Sequence, residues 1–474
     1  MKKNDFIIIG LLLLLGTMAL PASAQVSNDN EDGVYKTDSR MRSEDFVPGQ
    51  VLVKFKDSSP VNVRRAKGKF QSADRNTVDA VLQQFGVEDM EKLLPNEKPG
   101  RKMRKAKAFN GTTIEEKDLS QLYLVKLSKE KVMQTRELVD ELGKLSEVEF
   151  AEPNYKAYIM GEPTDGTICA DPSANPLYSQ QWGIGNMAID QLWTKPIVNG
   201  QRPVIAIIDT GVDITHPDLV DNIWTNQREA DGEEGYDNDN NGFKNDVHGW
   251  DFINNTGNIR DFNSHGTHVA GIAAAADNGI GIIGANPRAL IMPVSVMQSD
   301  GSGDIATIIK GINYAVQNGA TVLNMSFGSY TNSKALRQAL EQAYQSAVLV
   351  AAAGNDGKPI YPECGIGGAP MFPAAYSFVL GVQASTEGGS LAGFSNFDCD
   401  GPNFSAEKDT YGDDGYNYEM SAPGAGILST VPNGNYKLYN GTSMAAPLVA
   451  GGISALHGGS PERNHPACQC RHLC

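Results

Sequence analysis

A chain of 474 residues, 41% of them apolar and 20% charged, is long enough for one large domain and a smaller one. The net charge of −16 is unevenly spread: residues 1–160 carry 26 basic and 24 acidic side chains, residues 161–474 carry 14 and 32. So acidic a downstream part repels a phosphate backbone, which excludes nucleic-acid binding as a function class.

The chain opens with "MKKNDFIIIGLLLLLGTMALPASAQ": two lysines, an apolar run from Phe6 to Leu20, and small residues at Ala22-Ser23-Ala24. That is the build of a secretory signal peptide, residues 1–24, cut before Gln25. The run is short for a membrane anchor, and no later stretch is apolar for long enough to span a bilayer. The expectation is an exported, extracellular protein with no membrane partner after cleavage. Six cysteines in an exported chain permit disulfides, and Cys364 and Cys399, which flank an apolar segment, are a candidate pair. Residues 25–45 are polar and predicted disordered.

Residues 46–160 read as a small α+β domain. "PGQVLVKFK" (48–56) and "QLYLVKLS" (121–128) alternate as half-buried strands do, while "VDAVLQQFG" and "TRELVDELGKL" carry helical spacing. The basic run "RKMRKAK" (101–107) reads as a solvated loop. The domain closes with "VEFAEPNYKAYIM".

From about residue 178 the pattern changes. "VIAII" (204–208), "ALIMPVSVM" (289–297), "TVLNMSF" (321–327), "AVLVAAAG" (347–354) and "FVLGVQA" (378–384) are nearly continuous apolar runs, as in strands covered on both faces. Helical segments lie among them: "HGTHVAGIAAAA", "DIATIIKGINYAVQNG" and "SKALRQALEQAYQS". The alternation predicts an α/β fold, a doubly wound and mostly parallel sheet flanked by helices, over residues 161–456. Its active residues belong at the carboxyl ends of strands.

Asp209 stands at such an end, directly after "VIAII". An aspartate there can also be a turn former or helix cap. "YDNDNNGFKNDVHGWDF" (236–252) then offers Asp237, Asp239 and Asn241 at alternating positions before Gly242. Calcium loops begin this way. The twelfth position is His248, so this is no EF-hand, but Asp246 can close a shorter loop; the plain alternative is a solvated acidic loop. His265 opens an Ala- and Gly-rich helix, and histidine is the natural general base near neutral pH. His268 reads as structural. Asn355 follows a strand, where its amide can donate to an oxyanion. Ser443 heads the small, apolar "GTSMAAPLVAGGISAL" (441–456), with Pro447 near the helix start. Aspartate, histidine and serine are the elements of a nucleophilic triad.

"DTGVD", "HGTHVAGI" and "GTSMAAP", in this order, resemble the three signature motifs of the subtilisin-like serine proteases over residues 178–456. The resemblance implies a triad of Asp209, His265 and Ser443, with Asn355 as the oxyanion-hole side chain. It also implies substrate-binding edges at Ser326, Phe327 and Gly328 ("NMSFGS") and at Gly301, Ser302 and Gly303 ("GSG"), between which a peptide adds as a strand. Secreted bacterial members have a similar acidic loop, which implies structural calcium. Residues 46–160 resemble the family's propeptide, an intramolecular folding aid and inhibitor cut off by the enzyme itself. The mature amino terminus is then expected between residues 155 and 175. The implied partners are peptide or protein substrates and the chain's own propeptide, and the expected state is a monomer.

Two features depart from the family pattern. Residues 398–420 include an acidic insertion of unknown purpose. The serine helix gives way after Leu456 to "HGGSPERNHPACQCRHLC", which has no amphipathic period and reads as a truncated or frameshifted end. Its Cys468, Cys470, Cys474 and His472 admit a metal tract as the other reading. That ending motivates a second function class, a catalytically inactive binding protein of the same fold.

Overall fold

The computed structural model describes residues 45–57, 64–66, 69–71, 78–100, 102–108, 111–168, 176–194, 201–364, 367–399 and 416–457. The expected signal peptide, nearly all of the polar stretch after it, most of the acidic insertion and the cysteine-rich tail lie outside these residues.

The amino-terminal part runs β1 (Phe46–Phe55), β2 (Arg64–Ala66), β3 (Lys69–Gln71), α1 (Val78–Gln84), β4 (Val87–Lys92), β5 (Lys105–Lys107), β6 (Thr113–Glu115), β7 (Leu122–Leu127), α2 (Thr135–Gly143) and β8 (Val148–Ile159). Strands β8, β1, β7 and β4 pair antiparallel in that order. Val51, Val53 and Phe55 point to one face, against Leu82, Leu138 and Leu142 of the two helices. Leu52 points to the other and joins the core shared with the downstream part. The alternation predicts strands open on one face, yet both faces of β1 are covered and Lys54 is only 2% exposed, paired with Glu149. The basic run is likewise more ordered than a solvated loop. Lys105–Lys107 form β5 of a hairpin with β6, and Arg104 pairs with the buried Glu116.

The downstream part continues with β9 (Glu162–Ile168), α3 (Trp182–Asn186), β10 (Val204–Asp209), α4 (Gln227–Ala230), β11 (Trp250–Asp251), α5 (His265–Ala274), β12 (Leu290–Ser295), β13 (Ser302–Asp304), α6 (Ile305–Gln317), β14 (Val322–Met325) and β15 (Phe327–Gly328). It ends with α7 (Lys334–Ala343), β16 (Val348–Ala352), β17 (Leu380–Ser385), β18 (Met420–Pro423), β19 (Ile427–Val431), β20 (Asn435–Asn440) and α8 (Thr442–His457). The seven-stranded sheet has the order β11-β12-β10-β14-β16-β17-β18, with every pairing parallel. Successive residues of β10 explain its continuous apolar run. Ile205 and Ile207 meet α5 and α8 on one face, while Ala206 and Ile208 meet α6 and α7 on the other. Strand order reverses around β10, so its carboxyl end opens where doubly wound sheets place their sites.

Cys364 and Cys399 are joined by a disulfide. Pro447 lies beyond the first turn of α8, deeper than the sequence suggested. The carbonyl its missing N–H leaves unpaired, that of Ser443, accepts the Ser326 hydroxyl at 3.0 Å instead.

Candidate active site

Asp209 ends β10 with no exposed surface, and its Oδ1 accepts from the Thr210 N–H at 2.7 Å and pairs with His265 Nδ1 at 2.8 Å. An acceptor on Nδ1 places that proton there and leaves Nε2 as the basic nitrogen. His265 Nε2 is buried and has no hydrogen-bond partner among the described residues. Ser443 is the second residue of α8; its hydroxyl donates to the Ser326 carbonyl at 2.8 Å rather than to the imidazole.

What fills the site is the chain itself. Strand β8 lies between β13 and β15, antiparallel to both, with Ser302 opposite Tyr158, Gly303 opposite Ala157 and Phe327 opposite Ile159. The Ile159 N–H donates to the Gly301 carbonyl at 3.0 Å, and that of Met160 to the Ser326 carbonyl at 3.1 Å. Phe327 contributes backbone alone, because its ring is wholly buried in the core instead of lining a pocket. Just beyond the strand, the Met160 carbonyl oxygen accepts from the Ser443 N–H at 3.1 Å and from Asn355 Nδ2 at 2.7 Å. Asn355 is aimed by Thr442, whose N–H and hydroxyl both donate to its Oδ1 at 2.9 Å.

Two glycines make this approach possible. A Cβ on Gly441 would lie 2.2 Å from the Met160 oxygen, in the space that oxygen occupies. A Cβ on Gly161 would lie 2.9 Å from His265 Nε2 and 3.0 Å from Met444 Cε. The Met160–Gly161 peptide bond thus sits with its carbonyl between two donors and its amine side against the imidazole.

His268 is a framework residue. It stacks on Tyr439 at 4.1 Å, Nε2 bonds the Lys437 carbonyl, and burial depresses its pKa to about 3.

The amino-terminal part grips α6 and α7 at their amino termini. Asn154 Oδ1 accepts the Ala306 N–H at 2.9 Å. Glu152, fully buried, accepts from the Ser333 hydroxyl and from the N–H groups of Lys334 and Ala335. Farther out, Glu91 pairs with Lys310, and Glu97 accepts from Asn313 and Gln342. These docking contacts use acids of the nearly neutral part, so the overall charge difference between the two parts says little about how they meet.

Burial pushes the Glu152 carboxyl up to about 7, against the pull of its three donors. A proton is therefore held more tightly in the docked state than in the released one. Glu152 contributes fully below about pH 4.5 and loses that contribution as pH rises through about 7. With the amino-terminal part supplied as a separate chain, its dissociation is expected to be tens of times weaker at pH 5 than at pH 8. Glu152→Gln should flatten that dependence. A dissociation constant unchanged between the two pH values in the parent would sink this assignment.

In the acidic loop, carboxylate oxygens of Glu229, Asp237 and Asp239 lie within 4.8 Å of one another. Asn241 donates to Asp239 and Asp246, and the buried Asp246 also accepts from Tyr314 at 2.8 Å. Burial, with the charges of Asp239 and Glu229, raises the Asp246 pKa. Glu229 escaped the sequence reading because it comes from α4, outside the alternating stretch. Thr442 and Glu152 escaped it too, since their roles exist only once distant segments meet.

Residues 200–465 match the subtilase family, and residues 97–154 match the fervidolysin N-terminal prodomain. The minor extracellular protease Epr of Bacillus subtilis (strain 168) is 33% identical over 317 residues, 66% of this chain and 41% of that protein. Thermitase of Thermoactinomyces vulgaris is 35% identical over 286 residues, 60% of this chain and 84% of that one. The solved structure of fervidolysin from Fervidobacterium pennivorans, described as a keratinolytic enzyme related to subtilisin, superposes with a TM-score of 0.59. It is 23% identical and shares the fold, covering 90% of this chain and 57% of its own. The chain thus spans less than two thirds of Epr and of fervidolysin. With three motifs and a parallel sheet agreeing with the family match, the chain belongs to the subtilase family.

Proposed function

We propose that this is a secreted serine endopeptidase made as a zymogen, and that it activates itself by cutting the Met160–Gly161 bond. The observation that carries the reading is the Met160 carbonyl, held by Ser443 N–H and Asn355 Nδ2 while Gly161 abuts His265 Nε2. Gly161, the amino terminus this cut creates, also falls inside the window expected from the sequence.

In the first step Ser443 Oγ attacks the Met160 carbonyl carbon, and His265 Nε2 takes the hydroxyl proton. Asp209 holds the imidazole in the required tautomer and steadies its positive charge. The negative oxygen that forms is received by donors already in place, which is why they assist the transition state more than the ground state. His265 then returns the proton to the Gly161 nitrogen, the bond breaks, and water hydrolyses the acyl-enzyme. External peptides would bind as β8 does, mainly through backbone pairing with Gly301–Gly303 and Ser326–Gly328, so sequence selectivity should be modest.

The bond cut first should depend on having no side chain at Gly161. Gly161→Val is expected to abolish cleavage there, because its Cβ would press on the His265 ring, which cannot move without losing Asp209. Sequencing the amino terminus of the processed product checks this; a valine variant cut normally between residues 160 and 161 would refute the geometry.

We also read the acidic loop as a structural calcium site built from Glu229, Asp237 and Asp239; Asn241, whose amide nitrogen rather than its oxygen faces the carboxylates, braces it with Asp246. Three carboxylates this close repel one another, a cation among them would relieve that repulsion, and hard oxygen donors suit calcium. Chelation should lower Tm by about 5–10 °C relative to calcium at 100 times its Kd. Equal melting with calcium and with chelator would contradict the assignment. Export rests on the signal-like first 24 residues and on the extracellular relative. No helix among the described residues is long and apolar enough to cross a membrane.

A further inference from the structure

We propose that Asp261 is a positioning residue for His265: it holds Ser264 in a left-handed turn and so fixes how the imidazole meets Asp209. The inference rests on the serine-endopeptidase reading and deepens it.

Helix α5 begins at His265, and the first N–H groups of a helix have no partner within it. Ser264, at the capping position, gives no side-chain cap. The His265 N–H donates instead to Asn263 Oδ1 at 3.2 Å, that of Gly266 to the Thr210 hydroxyl at 3.0 Å, and that of Thr267 to Asp261 Oδ2 at 2.9 Å. Asp261 has four further donors. Its Oδ1 receives the Thr210 hydroxyl at 3.0 Å and the N–H groups of Asn263 and Ser264 at 3.0 and 2.9 Å, and its Oδ2 receives the Thr267 hydroxyl at 2.6 Å. Thr210 follows Asp209 and donates its N–H to that carboxylate. Asp261 therefore ties the turn after Asp209 to the chain on both sides of His265.

Ser264 is what needs holding. Its φ of 88° and ψ of −14° are those of the third position of a type II turn, which calls for glycine or asparagine. Asn240, Asn245, Asn255 and Asn433 also have positive φ, and asparagine enters that region readily. A serine there is strained and persists only where its surroundings fix it. Released, Ser264 would turn toward negative φ and carry His265, the next residue, away from Asp209. The start of α5 has little slack. A Cβ on Gly266 would lie 2.1 Å from the Gly211 carbonyl oxygen and 3.2 Å from Asp209 Oδ1, so helix start and strand end already touch.

Only a carboxylate fits this role. Five donors converge on two oxygens, and an ionised aspartate is all acceptor. Asparagine has the same shape but brings an NH2 group, which faces N–H and hydroxyl donors whichever way the amide turns. Asp261→Asn thus removes acceptors without opening a hole.

The test follows self-cleavage of the full chain by intact mass, a first-order process in which binding of an external substrate plays no part. Asp261→Asn is expected to slow it about 30-fold, since displacing a reacting group by about 1 Å can cost about 100-fold. In a Ser264→Gly background, where glycine adopts the left-handed turn unaided, the same change should cost only about threefold. An equal loss in both backgrounds would make Asp261 an ordinary helix cap and overturn the inference, as would a loss below about twofold with Ser264 in place. If the asparagine chain does not melt cooperatively, Thr210→Val, which lacks only the hydroxyl joining Asp261 to Gly266, is expected to slow cleavage about tenfold. A parental rate in that variant overturns the proposal. A parent chain that folds and never cuts itself overturns the endopeptidase reading instead, which separates the two failures.

Discussion

Replacing Ser443 with alanine is expected to lower peptide hydrolysis by about a million-fold and to leave the full-length chain uncut. The magnitude is the one known for the same deletion in subtilisin, about 2 × 10⁶ in kcat. The direction does follow from the site. Without the hydroxyl there is no acyl acceptor, and the His265–Asp209 pair has no proton to move. The loss should appear with the fold intact. Ser443 Oγ makes one short bond to the Ser326 carbonyl and receives the Met160 N–H, and both partners keep other bonds. Unchanged thermal melting beside lost turnover separates chemistry from stability. If the alanine chain still hydrolysed peptides at a parental rate, the nucleophile would have to lie elsewhere.

Asn355→Ala should cost about 100- to 1,000-fold in kcat, with KM nearly unmoved, the range known for the corresponding donor in subtilisin. Asn355 Nδ2 reaches the Met160 oxygen at 2.7 Å, shorter than the 3.1 Å of the Ser443 N–H. The amide is also pre-aimed, since Thr442 fixes its other end through two bonds. A donor already oriented pays no reorganisation when charge develops, so its removal is felt in the transition state rather than in binding. Steady-state kinetics on one peptide decides the matter. A rise in KM with kcat preserved would mean that Asn355 only holds the ground state.

Much of this was legible in the chain. The strands of the parallel sheet announce themselves because both faces are covered, which makes "VIAII" and "AVLVAAAG" apolar without interruption. The residues proposed to react are marked by motif, and each has a particular local setting: an aspartate at a strand end, a histidine and a serine at helix starts. What was not legible depends on two distant segments meeting. Glu152 looks like an ordinary surface acid until β8 docks and carries it to the amino terminus of α7, 181 residues away in sequence. Glu229 completes the acidic loop from a separate helical turn. "VLVKF" alternates as a half-exposed strand does, and only the packing of the amino-terminal part onto α6 and α7 covers its second face. Phe327 sits in a strand that pairs with β8, but strand alternation sends its ring to the core. The exact bond offered to Ser443 was out of reach as well, because it is set by the register of β8 against β13 and β15.

Cleavage between Met160 and Gly161 is read most directly from the intact mass of the refolded 50.9 kDa chain, followed in time. The expected products are a downstream fragment beginning at Gly161 and an upstream partner ending at Met160. A precursor that folds cooperatively yet stays at full mass, or is cut only elsewhere, would contradict this cut.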